Sequence, residues 1–585
     1  MKSRTSFFNA TVFRKDLLRY SPIWALYTLV LLLALFGEAD YSRASIARDV
    51  VYMMQSMAWV NLFYGGICGI FLFMDLFNGR MCNALHAFPM RREGWLTTHV
   101  LSGLLFSLVP NVLSTGIGAL LLWEYAYIAP IWLAISMLQF LFFFGTAVLA
   151  AICAGNLLGS VAIYGIIHFI TFFIGVVAQL LYQPLLYGVR MNMEAFYRFF
   201  PLQKMCGFDY AKIDVLYANV KPQVRFDGLE GEAWLYVGLC AIAGVLALLL
   251  AGVVYRRRNL ESAGDFISLR PLVPVFLIVC TLGAGAFLYM FSELVGNSNY
   301  LFVILGMAIG YFAAKMLLDR TVKVFGKKSL LTFVALLLVI GSTLGLTWID
   351  PLGVTTYIPK TENIATAYIY GADKNYSYIS SSLFDSYVGS SEDSGFEITD
   401  PDDLADLQEF HRQLISYRPT DNEGVLCDVR IRYKLKNGGT VTRYYEVGRE
   451  SPLGQKAGKY YSDMRYVFEV NDTSVLYNAF DGVTVNIYKG TEDVEFKLTE
   501  QQDITDLLNV IAADCEAGTM AQNWAYHDET GKEMTYYVEF SVKDEALKQG
   551  MWSLSHFYLH IYEDSENTRS YLENKAAAYE SGLTK

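Results

Sequence analysis

Asn61, Gln139 and His168 are polar side chains lying inside long apolar runs. Desolvating such groups is costly, so in hydrocarbon each is either glued to a neighbouring helix by a hydrogen bond or marks a functional site. The three form a possible intramembrane polar site. His168, in Ile166-Ile-His168-Phe-Ile, is alone, and a lone histidine suits an interhelical bond better than a proton relay. Other chemistries lack their residues. There is no His-Glu-x-x-His pair for zinc, and Gly326-Lys327-Lys328-Ser329 ends like a phosphate loop but has Thr321 where a glycine is required. Asp400, Asp402, Asp403 and Asp406 lack the glycine and terminal glutamate of a calcium loop, and read instead as the start of a capped helix. His411, His527, His556 and His560 have no partners at motif spacing. The eight cysteines show no Cys-x-x-Cys; Cys427 and Cys515 are the two in the polar half, and their pairing stays open. The expectation is a chain with no catalytic, metal or cofactor site of its own.

The elements around these residues change solvent near Asp350. With 54% hydrophobic residues and a mean hydropathy of +0.30, the chain is too apolar for a soluble protein of 585 residues. Spanning about 30 Å of hydrocarbon takes roughly 20 apolar residues. Nine runs qualify: 22–37, 51–74, 98–122, 128–153, 157–182, 233–255, 272–292, 300–318 and 329–349, with Ala154-Gly155-Asn156 breaking the longest stretch. Residues 350–585 hold 40 acids and 21 bases, whereas residues 1–349 hold 17 and 25. The fold class expected is an α-helical polytopic membrane bundle of about nine helices (1–349), followed by a soluble α+β domain with an internal repeat (350–585). Membrane lipid is the implied surroundings, and nothing suggests nucleic acid.

Basic residues set the orientation. Lys2, Arg4, Arg14, Lys15 and Arg19 precede the first run, and Arg80, Arg91 and Arg92 follow the second. Arg256, Arg257 and Arg258 follow the sixth, and Lys315, Arg320, Lys323, Lys327 and Lys328 lie around the loop after the eighth. With nine spans all four clusters fall on one face, which is then cytoplasmic, and everything after Trp348 is outside. The loop 183–232, with six Lys/Arg, obeys the rule less well. Its Phe196, Tyr197, Phe199, Phe200 and Leu202 read as a short interfacial helix.

The segment between the second and third runs is the most specific in the membrane half. Asp75, Arg80, Leu85, His86, Phe88, Pro89, Arg91, Arg92 and Glu93 fall within it, and Leu76, Phe77, Met81, Leu85 and Phe88 make an apolar stripe ended by Pro89. Leu85-His86-Ala87-Phe88-Pro89-Met90-Arg91-Arg92 resembles the Leu-His-Ser-Leu-Pro-x-x-Arg segment of bacterial ABC-2-type exporter permeases, with Ala87 and Phe88 as departures. Tyr197-Arg-Phe-Phe-Pro201-Leu202 is similar to an outer-loop element of the same family, and the likeness covers roughly residues 1–260. It implies a coupling helix that docks on a cytoplasmic ABC ATPase, a second permease protomer in a homo- or heterodimer, and no ATPase in this chain. Without the resemblance, 75–93 reads as a basic connector.

The polar half repeats itself at an offset of 100 residues: Phe396-Glu-Ile-Thr-Asp-Pro-Asp-Asp403-Leu-Ala-Asp406-Leu407 aligns with Phe496-Lys-Leu-Thr-Glu-Gln-Gln-Asp503-Ile-Thr-Asp506-Leu507. Each copy reads as a strand end, a threonine N-cap and an acidic first helical turn. Asn437-Gly438-Gly439 between alternating runs marks a hairpin. Tyr368, Tyr370, Tyr376, Tyr378 and Tyr387 are either edge-strand aromatics or a recognition surface. Asp350-Pro-Leu-Gly-Val-Thr-Thr-Tyr-Ile-Pro359 resembles the start of an uncharacterised C-terminal domain on some Firmicutes ABC permeases.

Two functions are expected. The first is an exporter permease subunit, driven by a separate ATPase, that releases an amphipathic or peptide-like cargo outward. The alternative is a non-transporting membrane anchor displaying an envelope-facing sensing or binding domain.

Overall fold

In hydrocarbon every backbone polar group must be satisfied within its own segment, so apolar runs become helices. In the structure, a computed structural model, every such run is helical. It describes residues 7–36, 43–87, 90–121, 123, 126–191, 196, 199–218, 221–295, 299–371, 397–420, 426–448, 451–468, 470, 472–489, 492–520, 534–543, 546, 557–562 and 564–583. The expected Phe88, Pro89, Tyr197, Tyr376, Tyr378, Tyr387, Phe396, His527 and His556 lie outside the described residues, as do the side chains of Leu85, Tyr370 and Cys427.

The chain divides into two units, Met1–Tyr182 with Met191–Leu344, and Gln183–Arg190 with Gly345–Lys585. In the first, α1 (Ala10–Arg19) and α2 (Ser21–Phe36) meet at a bend of 57°. α3 (Arg43–Leu72), α4 (Gly79–His86), α5 (Arg92–Leu121), α6 (Ile128–Cys153) and α7 (Leu157–Tyr182) follow. After α8 (Pro201–Cys206) comes a hairpin, β1 (Ala211–Ala218) and β2 (Lys221–Leu229). Then come α9 (Gly231–Arg257), α10 (Leu272–Leu294), α11 (Tyr300–Asp319) and α12 (Lys327–Ile349).

Among the described residues, seven helices, α5, α6, α7 and α9–α12, are long and apolar enough to cross a membrane, and the bent pair α1–α2 would add an eighth. α2 alone has 16 residues, and α3, with 30, carries Gln55 and Asn61 among its apolar side chains.

α6 is the central helix: Phe140, Phe143, Phe144, Ala147, Val148, Ala150 and Ala151 are all buried. Close packing needs small residues where backbones approach. Gly65 and Gly69 of α3 face Phe143, Phe144 and Ala147 of α6, and Gly145 of α6 meets Gly244 of α9 so closely that a Cβ would lie 2.2 Å from the Gly244 oxygen. Gly116 of α5, by contrast, has open space around it. Of the interfacial helix expected at 196–202, Phe196 is helical and Phe199 is 73% exposed, whereas Pro201 starts α8 and Phe200 and Leu202 are buried in the bundle. A proline at the first helical position has the fixed φ that a helix start requires.

Among the described residues, the second unit holds two sheets with separate cores. β3 (Ile364–Gly371), β4 (Leu426–Leu435) and β5 (Thr440–Gly448) are antiparallel in the order β3-β4-β5, and Ala367 of β3 also bridges Ile398. α13 (Pro401–Ser416) and α14 (Pro452–Tyr461) cover this sheet through Leu404, Leu407, Phe410, Leu414, Ala457 and Tyr461. The other sheet runs β7-β6-β8-β9, from β6 (Phe480–Lys489), β7 (Glu492–Leu498), β8 (Met534–Val542) and β9 (Phe557–Tyr562). α15 (Gln501–Ala517) and α16 (Glu566–Leu583) cover it.

The hairpin turn is where the sequence placed it: Gly438 has φ +83°, a conformation that favours glycine, and its N–H donates to the Leu435 oxygen at 2.9 Å. The N-caps are not the threonines. Asp400 caps α13, accepting from the N–H groups of Asp402 at 2.9 Å and Asp403 at 3.3 Å, and Glu500 stands at the start of α15 without a side-chain bond. Pro401 at the first helical position moves the cap one residue on.

Candidate functional site

Antiparallel connection puts the start of α5 and the ends of α6 and α9 at one end of the bundle, together with α4. Helix ends leave carbonyl oxygens without partners, and cations suit them. Here two arginines supply the donors. Arg92 donates to the backbone oxygens of Tyr255 (3.1 Å), Arg256 (3.3 Å) and Arg258 (2.9 Å), closing the end of α9. Arg258 is itself buried and donates to Ala151 (3.3 Å) and Ile152 (3.0 Å) at the end of α6 and to Leu76 (3.3 Å) before α4. Glu93 pairs with Arg256 at 2.9 Å. Leu76 and Arg92, near the two ends of the 75–93 segment, are therefore tied to α6 and α9 by arginine side chains bonded to backbone oxygens.

The other residues singled out in this segment fall as follows. Asp75 sits in a helical turn, Met74–Phe77, and pairs with Arg19 at 3.2 Å. Asn78 caps α4 by accepting from the Arg80 N–H at 2.9 Å, and the Arg80 side chain is exposed. Nδ1 of His86 lies 2.7 Å from the Cys82 oxygen and its Nε2 3.2 Å from the Tyr255 hydroxyl. Burial, and then Arg92 and Arg258, lower the pKa of this imidazole, against the bond to Cys82. Arg91 is exposed over the Phe7 ring at 5.6 Å. The expected apolar stripe is only part of the packing. Leu76 is buried, but Met81 is 49% exposed and Cys82, one position on, faces inward instead. Asn78 starts α4 there, so the turns before and after it do not share one helical phase.

Sequence spacing gave no sign of a second cluster beside it. Asp16 of α1, buried, accepts from Ser102 at 3.0 Å and lies 2.7 Å from Nδ1 of His99, both on α5. Ser102 bonds the carboxylate and not the imidazole, so this is a tie between helices rather than a nucleophile with its base. The signal was an acid on the apolar side of an amphipathic helix.

Deeper in the bundle, Asn61 and Gln139 meet: the Asn61 amide donates to Gln139 Oε1 at 2.9 Å. His168 is not with them. Its Nε2 lies 2.8 Å from the Thr146 hydroxyl, and Phe142, Phe143 and Tyr164 enclose its ring. The polar site expected from three residues is thus a pair and a separate histidine. Asn61 and Gln139 are joined to Tyr27, Asn111, Ser136 and Tyr210, none of them ionised.

In the second unit, His411 lies buried between two hydroxyls, with Nδ1 3.1 Å from Tyr433 and Nε2 3.0 Å from Tyr445. Burial, helped by Arg443 and Arg412, pushes its pKa down to about 3. Among the described residues no group of three His, Cys, Asp or Glu side chains could hold a metal ion. No protein-family model, curated protein or solved structure matches this chain.

Proposed function

We propose that this chain is the membrane-spanning permease subunit of an ABC-2-type exporter, paired with a second permease protomer and driven by a separate cytoplasmic ATPase. Its cargo would be amphipathic or peptide-like. The observation that carries this is the pinning of the 75–93 segment to the ends of α6 and α9 through Arg258 and Arg92. A push on α4 is not absorbed by a loose loop, because its neighbouring backbone shares one buried guanidinium with the central helix. The exposed Arg80, Met81 and Arg91 would meet the ATPase.

In this reading α1–α2 and α3 complete nine spans, the first residues are cytoplasmic, and the second unit is extracytoplasmic. Gln183–Arg190, which follows α7, belongs to the same unit as Gly345–Lys585. That arrangement needs an even number of crossings between them, and α9–α12 supply four. The second unit would be a duplication. Both halves run strand, return segment, helix, two strands, helix, and the Ala367–Ile398 pair matches Val483–Leu498 in position.

The test is affinity purification from native membranes. An ATPase subunit should accompany the wild-type chain and be lost with Arg80→Glu combined with Met81→Asp, surface changes that leave the bundle folded. A complex unchanged by the double variant removes the coupling role, and absence of any ATPase favours the envelope-facing anchor.

A further inference from the structure

β5 lies at the edge of its sheet, and an edge strand presents backbone donors with no strand to take them. One of these donors is satisfied from far away in the sequence. The N–H of Tyr444 donates to the oxygen of Gly188 at 3.0 Å. Around that bond the segment Gln183–Arg190 is fitted side chain by side chain. Tyr187 packs against the apolar core of the sheet, with the Arg418 guanidinium over its ring at 3.5 Å and the Tyr445 ring tilted against it at 5.6 Å. Gly188 has φ +74°, and a Cβ there would lie 2.5 Å from the Tyr445 ring, so glycine is required twice over. Arg190 lies over the Tyr444 ring at 5.1 Å.

The residue before Tyr444 fastens a different stretch. Arg443 is buried and donates to the oxygens of Val354 at 2.9 Å and Tyr357 at 3.3 Å. Three successive residues, Arg443, Tyr444 and Tyr445, therefore hold two separate lengths of chain, all within the second unit. One length begins at Gln183, directly after α7, and the other at Asp350, directly after α12. Neither is a loose linker. Gln183 Nε2 donates to the Val189 oxygen at 2.8 Å, closing the first into a turn, and the Asp350 carboxylate closes the second by accepting from the N–H groups of Val354 and Thr355 at 2.8 Å each. Within the first unit the same two helices meet as well: the hydroxyls of Tyr182 and Thr343 are 2.7 Å apart, and Leu181 and Leu344 share an apolar cluster.

We propose that residues 443–445 of β5 form a clasp joining the continuations of α7 and α12, so that parting the two helices requires opening the edge of β5. Because both connections are folded turns, displacement of either helix end is passed to the strand rather than taken up on the way. Linkage of this kind is reciprocal: whatever stiffens β5 holds the two helices paired, and whatever parts the helices loosens β5. The clasp stands whether or not the chain exports anything, because it restrains two helices and involves no cargo.

Deuterium exchange of the full chain in lipid nanodiscs, read by peptide mass spectrometry, tests the clasp, since local opening sets the exchange rate. Gly188→Ala should expel the first length, and Arg443→Gln should release the second. Gly188→Ala should speed exchange about tenfold at 183–190 and β5 and also at 346–357, the length it leaves unaltered; tenfold is what the loss of one hydrogen bond allows. Arg443→Gln should in turn speed exchange at 180–190. The sheet β6–β9 should keep its wild-type rates in both variants, which reports that the second unit is folded. If each variant loosens only the length it alters, the two are docked independently and the clasp is overturned. Should Gly188→Ala disturb the other sheet, Tyr187→Ser takes its place, removing a ring without adding atoms, and loosening confined to 183–190 in that variant overturns the clasp equally.

Discussion

Arg92 donates to the backbone oxygen of Arg258 at 2.9 Å, across 166 positions of sequence. The second arginine then reaches Ile152 and Leu76. The two guanidiniums thus act in series, one closing α9 and the other closing α6, and the order matters because the first positions the backbone from which the second projects.

Replacing Arg258 with Ala strips donors from three buried oxygens. At about 1–3 kcal/mol for each unsatisfied group, the variant should melt well below wild type in nanodiscs. Arg258→Lys should recover only part of the loss, since one ammonium does not reproduce a planar fork spanning two elements. A full recovery with Lys would mean that charge alone is at work.

Gly145→Ala and Gly116→Ala should move stability in opposite directions. The first inserts a methyl group 2.2 Å from the Gly244 oxygen, and overpacking of this kind costs typically about 1–3 kcal/mol or more. The second adds a methyl group to open space within a helix, where Ala is favoured over Gly by about 1 kcal/mol. Thermal melts of the two variants side by side check both signs.

The second unit should lose stability in mild acid because of His411. Its pKa falls from 6.5 to about 3 on folding, chiefly through burial. Between those values the unfolded chain binds the extra proton, so the stabilisation is complete above 6.5 and is lost as pH falls towards 3. The size is on the order of a few kcal/mol. Hydrogen exchange of the β4 and β5 amides should show it, and His411→Gln should flatten the slope in that window.

Asp514 should be the anchor of the final helix. Its carboxylate is buried and accepts from Asn567 and Thr568, through both backbone N–H groups (3.2 and 2.8 Å) and both side chains (2.7 Å each). Asp514→Ala should cost about 2 kcal/mol, as for loss of a strong helix cap, and raise amide exchange along α16 before the rest of the sheet responds. Uniform exchange across the unit would contradict this.

Local pattern carried most of the fold. Each apolar run is a helix, the Ala154-Gly155-Asn156 break separates α6 from α7, and the Asn-Gly-Gly turn joins β4 to β5. Phase and distance were harder. The α13 cap moved to Asp400 because Pro401 fixes where helical geometry begins, and α4 buries Cys82 rather than Met81 because Asn78 restarts the turn. The Asn61–Gln139 pair was legible because each residue is conspicuous in hydrocarbon. Arg258 was not: in the sequence it is the last of three arginines obeying a charge rule, and only the third is drawn inward to helix ends more than 100 positions away. Asp16, His99 and Ser102 were hidden for the same reason, since no local spacing links α1 to α5.

The Gly145–Gly244 crossing leaves no room for an alternative at either position. Two sites that tolerate a single residue type do not vary, and sites that do not vary cannot covary. Contact inference from aligned relatives would therefore be silent at the tightest backbone approach between α6 and α9, and would recover their pairing only from the looser, more changeable side chains that flank it.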